Sequence, residues 1–237
     1  MVFVMKIGIL QCDDVSASMQ EAHGNYPGMF INMFRRVNPD IEFQIWRCHE
    51  GVFPENIDDA DAWLITGSRY GAYDNYDWIE TLSEFIRTLY SNNRKIVGVC
   101  FGHQLLAQAL GGKVINHPGG WGVGVSINKV VRRKPWMNSP ENTLRILVSH
   151  QDQVVSVPEY AEVIAASEFC PIYMVQYGDN ALGLQGHPEF TKGFAADLLN
   201  SRREVIDKKV VDKAVKSFEL DLDADTVSNW LYEFMKF

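Results

Sequence analysis

Through the first hundred residues, two patterns of apolar and polar positions take turns. Short runs rich in β-branched and aromatic residues, KIGILQC (6–12), IEFQIWRC (41–48), DAWLITGS (61–68) and KIVGVC (95–100), read as strands, the last of them apolar throughout. Between them lie stretches of helical period. One covers 28–37, and in DWIETLSEFIRTLY (77–90) Trp78, Leu82, Phe85, Ile86 and Leu89 share one helical stripe. Strand and helix in alternation predict a mostly parallel sheet with helices packed on its faces.

Beyond a helix that starts near Gly102, the pattern changes. Segments 123–131, 144–150, 161–167, 172–178 and 181–187 follow one another through short turns, as antiparallel strands added to a central sheet do. Helical period returns over 190–206, followed by a charged pair of helices ending in SNWLYEFMKF. The expected fold class is α/β: an open, mostly parallel central sheet with helices on both faces and an added antiparallel portion, a flavodoxin-like three-layer sandwich. One domain is expected over 1–237, with a helical C-terminal extension from about residue 201 that covers the core. No internal repeat, low-complexity tract or linker interrupts the pattern.

Composition narrows the class of function. The 237 residues, 46% hydrophobic and 22% charged, suffice for one sizeable core. A net charge of −8 argues against DNA, RNA or an anionic lipid surface as partner, because the mean field of the protein repels them. The basic run Arg132, Arg133, Lys134 reads as a solvated loop. The apolar opening MVFVMKIGIL is interrupted by Lys6, lacks a small-residue cleavage site and is far short of a membrane span, so it reads as a buried first strand. Four cysteines, Cys12, Cys48, Cys100 and Cys170, are widely spaced without a CxxC pair, which suggests neither zinc nor a disulfide framework and fits a reducing cytoplasm.

Cys100 stands apart from the other three. In Gly98-Val-Cys100-Phe-Gly102 the spacing is that of a nucleophile elbow between a strand and a helix, where side chains in place of the glycines would collide with nearby backbone. The thiol would then sit above the carboxyl edge of the sheet, where the first N–H groups of the helix favour a thiolate and a developing oxyanion. A small buried apolar role for Cys100 remains open on local spacing alone. A cysteine nucleophile also needs an imidazole base and a carboxylate to orient it. Gly186-His187-Pro188-Glu189-Phe190 supplies both after a strand, with Pro188 stiffening the turn so that Glu189 bends back toward the ring. His103 lies inside the elbow helix, His150 at the end of another strand, and His23, His49 and His117 in loops; none begins a His-Pro-Glu turn.

Together, GVCFGHQ (98–104), the upstream glycine turn Leu64-Ile-Thr-Gly67-Ser, Ser149-His150-Gln151-Asp152 and GHPEF (186–190) resemble the class I glutamine amidotransferases, in this chain order and over roughly residues 5–200. The resemblance implies Cys100 as nucleophile, His187 as base and then acid, and Glu189 as its orienting partner. It also implies the backbone N–H groups of Phe101 and Gly67 as oxyanion donors, and Gln104, Ser149 and His150 as residues that hold the substrate. Such enzymes release ammonia from glutamine through a γ-glutamyl thioester, without metal or organic cofactor. Many members carry two glycines and a proline at the first turn; here Thr66-Gly67-Ser68-Arg69 stands instead, followed by Tyr70, Tyr73, Tyr76 and Trp78. Those rings read either as half-buried packing or as a wall that selects the substrate.

No GxxxxGK[ST] phosphate loop accompanies the motifs. Ammonia would pass to a separate synthetase subunit, or there is no acceptor and the enzyme hydrolyses its small-molecule substrate. The expected function is a stand-alone glutamine amidotransferase-like hydrolase, with a γ-glutamyl peptidase as alternative and a non-catalytic binding module as a second.

Overall fold

The computed structural model describes residues 4–236; residues 1–3 of the apolar opening, and residue 237, lie outside it. The elements run in the order β1 (Lys6–Gln11), α1 (Ala17–His23), α2 (Tyr26–Val37), β2 (Glu42–Arg47), β3 (Ala62–Ile65), α3 (Asp77–Ser91), β4 (Lys95–Val99) and α4 (Phe101–Ala109). There follow β5 (Lys113–Asn116), β6 (Gly122–Val130), β7 (Thr143–His150), β8 (Asp152–Ser156), β9 (Ala161–Ala166), β10 (Met174–Tyr177), β11 (Ala181–Leu184), α5 (Lys192–Ser201), α6 (Lys208–Ser217) and α7 (Ala224–Lys236).

Nine strands form one sheet in the order β2-β1-β3-β4-β11-β10-β9-β6-β7. The first five are parallel and the remaining pairings antiparallel. The central strands are buried on both faces, and period-two alternation divides their side chains. Ile7, Ile9, Leu64, Val97 and Val99 face one layer with Phe30 and Phe34 of α2 and Trp230, Leu231 and Phe234 of α7. Leu10, Trp63, Ile65 and Ile96 face the other with Leu82, Ile86 and Leu89 of α3 and Leu105 and Leu106 of α4. This is the expected three-layer arrangement, and α7 supplies buried side chains to it.

Several expectations need correction. The segment near 181–187 is antiparallel only to β10; it pairs parallel with β4, so it completes the parallel half. Its fully buried ALGL composition suits an interior strand between two others. Helix α1 and strands β5 and β8 were not expected, and β5 and β8 make a separate two-stranded sheet. The helix expected over 190–206 stops at Ser201, and the chain turns so that Ile206 packs with Val211 and Ala214 of α6. Thr191 caps its start by accepting from the Phe194 N–H. The basic run is exposed at Arg132 and Arg133, while Lys134 is half-buried and pairs with Glu162. No helix among the described residues is long and apolar enough to cross a membrane.

Candidate active site

β4 ends at Val99 and α4 begins at Phe101, which leaves Cys100 alone in the turn at φ 53° and ψ −103°. A non-glycine residue held there stores about 1–3 kcal/mol, so its surroundings must enforce it. They do so through two close approaches. A Cβ on Gly98 would overlap the Gly102 carbonyl, and one on Gly102 would overlap the carbonyl of Ile65, so the helix start can lie against the ends of β4 and β3 only with glycine at both positions. The Cys100 N–H donates to the Leu184 carbonyl at 2.8 Å, tying the turn to β11, and its carbonyl accepts from the Gln104 N–H at 3.0 Å. Being the first residue of α4, Phe101 has an N–H without a partner inside the helix.

β11 lies beside β4 with Leu184 opposite Val99, so the chain leaving β11 emerges next to the elbow. His187 Nδ1 and Glu189 Oε1 are 2.7 Å apart, both residues buried, and Glu189 Oε2 has no hydrogen-bond partner. The imidazole is therefore the one hydrogen-bond partner of the Glu189 carboxylate among the described residues. Phe190 stacks on the ring at 3.9 Å and 7°, which fixes its plane. A Cβ on Gly67 would lie 3.1 Å from His187 Cε1 and 3.8 Å from Cys100 Cβ, so glycine turn, imidazole and cysteine meet at one point on the rim. Burial alone pulls the His187 pKa down, but the charges of Glu189 and Cys100 and the hydrogen bond to Glu189 outweigh it and raise it to about 10. The aligned donor to the sulfur is Gln185 Nε2 at 3.6 Å.

The remaining expected residues surround a cleft of about 330 Å³. Gln104, Ser149 and His150 line it; Cys100 and His187 do not. Gln104 links the two, because its Nε2 donates to the Asp152 carbonyl at 2.9 Å and to Gln185 Oε1 at 3.2 Å, and Gln185 reaches the sulfur. Burial pushes His150 down to about 4, so near neutral pH it acts as an uncharged hydrogen-bonding group, with Nδ1 3.1 Å from the Asp152 carbonyl. Ser149 Oγ accepts from Arg202 at 2.8 Å. Gly67 is held from both sides: Thr66 Oγ1 accepts from the Cys12 N–H at 2.9 Å, and Arg69 forms a two-pronged pair with Asp13 at 2.8 Å on each oxygen.

The aromatic stretch divides between packing and the cleft. Trp78 packs on Phe101 at 5.6 Å and on Tyr70 at 5.7 Å, whereas Tyr70 and Tyr73 line the cleft. A larger, more open groove of about 540 Å³ is lined by Gly51, Phe53, Tyr76 and Trp78 and by none of Cys100, His187, Glu189, Gly67, Phe101, Gln104, Ser149 and His150. The other histidines have different engagements. His103 is fully buried and pushed to about 3 by burial, His23 pairs with Asp197, His49 bonds the Gln11 carbonyl, and His117 rests on Phe169. Among the described residues Asp14, His49 and Glu50 could together ligate a metal, but Arg47 already bonds Asp14 at 2.8 Å and Glu50 at 2.6 Å, and an ion would have to displace it.

Sequence reasoning missed Gln185, the Asp13–Arg69 pair and Arg202. Gln185 could have been suspected from its place two residues before His187. The other two carry no local signal, since each acts on a residue more than fifty positions away.

Residues 25–202 match the family described as glutamine amidotransferase class-I. Gamma-glutamyl peptidase 5 of Arabidopsis thaliana is 30% identical over 213 residues, covering 86% of this chain and 84% of the relative. One of the subunits of the glutamine-hydrolyzing GMP synthase of Sulfolobus acidocaldarius is 28% identical over 138 residues, covering 57% of this chain and 70% of the relative. The crystal structure of a glutamine amido transferase from Methylobacillus flagellatus shares the fold, with a TM-score of 0.75 at 24% identity over 99% of this chain and 94% of the other.

Proposed function

Because the chain belongs to the class-I glutamine amidotransferase family, we propose that it hydrolyses a γ-glutamyl amide bond, glutamine first, through a γ-glutamyl thioester on Cys100. The observation that carries the reading is the strained Cys100 on the rim with the buried His187–Glu189 pair beside it. In the first half-reaction the thiolate attacks the γ-carbonyl carbon. The oxygen takes up negative charge facing the Phe101 and Gly67 N–H groups, each worth about 3 kcal/mol of barrier at comparable acyl-transfer sites. Protonated His187 then gives its proton to the departing nitrogen, the C–N bond breaks, and ammonia leaves. In the second half, neutral His187 takes a proton from water as the hydroxyl attacks the thioester. The C–S bond breaks, and glutamate and the free thiolate beside a protonated imidazole are restored. Glu189 keeps Nδ1–H pointed at itself, so that Nε2 serves both transfers.

Similarity to a gamma-glutamyl peptidase over most of both chains favours a second reading, with the same acyl-enzyme and an amino acid or peptide amine as leaving group. Similarity to part of a GMP synthase supports an ammonia-accepting synthetase partner under the first reading. We read residues 201–237 as part of the same domain, supported by the core side chains of α7. Four unpaired, buried cysteines support a reducing, cytoplasmic setting.

The test is a comparison of rates: ammonia from glutamine against amino acid from a γ-glutamyl dipeptide, with and without a candidate synthetase. Faster glutamine turnover supports the first reading, and dependence on added synthetase identifies one component of a larger amidotransferase. Faster dipeptide cleavage supports the second. Turnover of neither, with the thiol reduced, overturns both.

A further inference from the structure

Arg202 follows the last residue of α5, and its guanidinium reaches the cleft that Gln104 and His150 line. NH1 donates to Ser149 Oγ at 2.8 Å, and the guanidinium carbon lies over the Trp121 ring, 5.2 Å from its centre. Hydroxyl and indole thus hold the planar group in place, yet neither neutralises it. Among the described residues Arg202 forms no ion pair with a carboxylate. The contrast within the same cleft is Arg69, whose charge is met by Asp13 through two parallel bonds. The acidic groups across the cleft have other donors: Asp74 accepts from the Gly71 N–H at 2.8 Å and Asp152 from Asn116 Nδ2 at 3.0 Å.

A guanidinium keeps its charge at any working pH, so a shielded and unpaired one costs free energy unless an anion arrives. Burial also pulls the pKa of Arg202 below its ordinary value, the direction expected of a cation lacking a close counter-charge. Arg202 shares its cleft with Gln104, whose side chain bonds Gln185, the donor to the Cys100 sulfur, so an anion held by Arg202 lies on the side of the cleft that leads to the elbow. The planar fork suits a carboxylate, which can accept two parallel bonds.

Resting on the γ-glutamyl hydrolase reading above, we infer that Arg202, seated on Trp121 and tethered by Ser149, is the specificity residue that binds a carboxylate of the substrate. That carboxylate comes either from the α-position of the glutamyl group or from the amino acid that leaves. Both present the same chemistry to the guanidinium, and two substrate pairs separate them.

The first pair is a γ-glutamyl dipeptide with a free C-terminus and its C-terminal amide. The second is the γ-glutamyl compound and its 4-aminobutanoyl counterpart, which lacks the α-carboxylate. For each pair kcat and KM are measured in the wild type, Arg202→Gln and Arg202→Lys, with melting curves recorded for all three. The wild type should prefer the carboxylate member of one pair by about tenfold to a hundredfold in kcat/KM, mainly through KM. Arg202→Gln should bring that ratio near one, and Arg202→Lys should restore part of it. Collapse of the first ratio assigns the leaving amino acid, and collapse of the second the glutamyl group. A fall in overall rate that leaves both ratios at their wild-type values overturns the inference and makes Arg202 a structural tether of Ser149. Failure of the wild type on every substrate would instead strike the parent reading.

Discussion

The floor of the site and the wall of the cleft are built by different means. Cys100, His187 and Glu189 are placed by backbone: a glycine-gated elbow after β4, and a turn of two residues after the neighbouring β11. The wall is placed by side chains reaching between segments far apart in the chain, Asp13 to Arg69, Arg202 to Ser149 and Gln104 to Gln185. Backbone placement tolerates no added atom. Side-chain placement tolerates exchange at a graded cost, which is where substrate preference can vary without disturbing the chemistry.

The largest effect should come from adding one methyl group to the floor. Gly102→Ala sets a Cβ against the Ile65 carbonyl and its side chain, with no flexible side-chain end to give way, so α4 must lift from β3. Destabilisation of about 3 kcal/mol or more is expected in denaturant unfolding, with activity lost along with the elbow. Unchanged stability and rate would mean that the turn is not sterically gated.

Next comes Glu189→Gln, which preserves shape and removes the charge facing His187. The rate should fall by about a hundredfold. The pH profile should move as well. Since Glu189 and Cys100 hold the His187 pKa at about 10, the protonated imidazole that the proposed mechanism requires persists well into alkaline solution in the wild type. In the variant the alkaline limb should shift down by about 1–2 pH units. Stability follows the same sign. The raised pKa contributes fully below the unfolded value of about 6.5, and that contribution is lost as pH rises toward the folded value. The difference in stability between wild type and variant should therefore shrink on going from pH 6 to pH 10, which paired unfolding curves would measure.

A change in the wall should cost less. Asp13→Asn leaves Arg69 with one prong of its pair and loosens the turn that carries Gly67. A loss of about tenfold in kcat/KM is expected, with little change in the thiol's reactivity toward a small alkylating reagent. A drop as large as that of Glu189→Gln would erase the distinction between floor and wall.

The same division explains what could be read from the chain. β1, β3 and β4 are legible as apolar runs and β2 by its aromatic and β-branched content, whereas β11, just as apolar, carries no local sign that its parallel neighbour is β4. The floor is legible because glycine spacing and the His-Pro-Glu turn are local constraints written in consecutive residues. β5 and β8 escaped because Lys113–Asn116 and Asp152–Ser156 are short and mixed in polarity; they become strands by pairing with each other. Arg202 escaped for a related reason. The helical period continues past it, and only the tertiary turn that buries Ile206 brings its guanidinium into the cleft.

Mass spectrometry of the intact protein, mixed with glutamine or a γ-glutamyl dipeptide, quenched in acid within the first turnovers and then mapped by peptide, bears most directly on Cys100 as the nucleophile. One γ-glutamyl group on the peptide containing Cys100, absent from Cys100→Ala and from protein alkylated beforehand, is the expected result. Turnover at full rate by Cys100→Ala, or the adduct on Cys12, Cys48 or Cys170 instead, would contradict it.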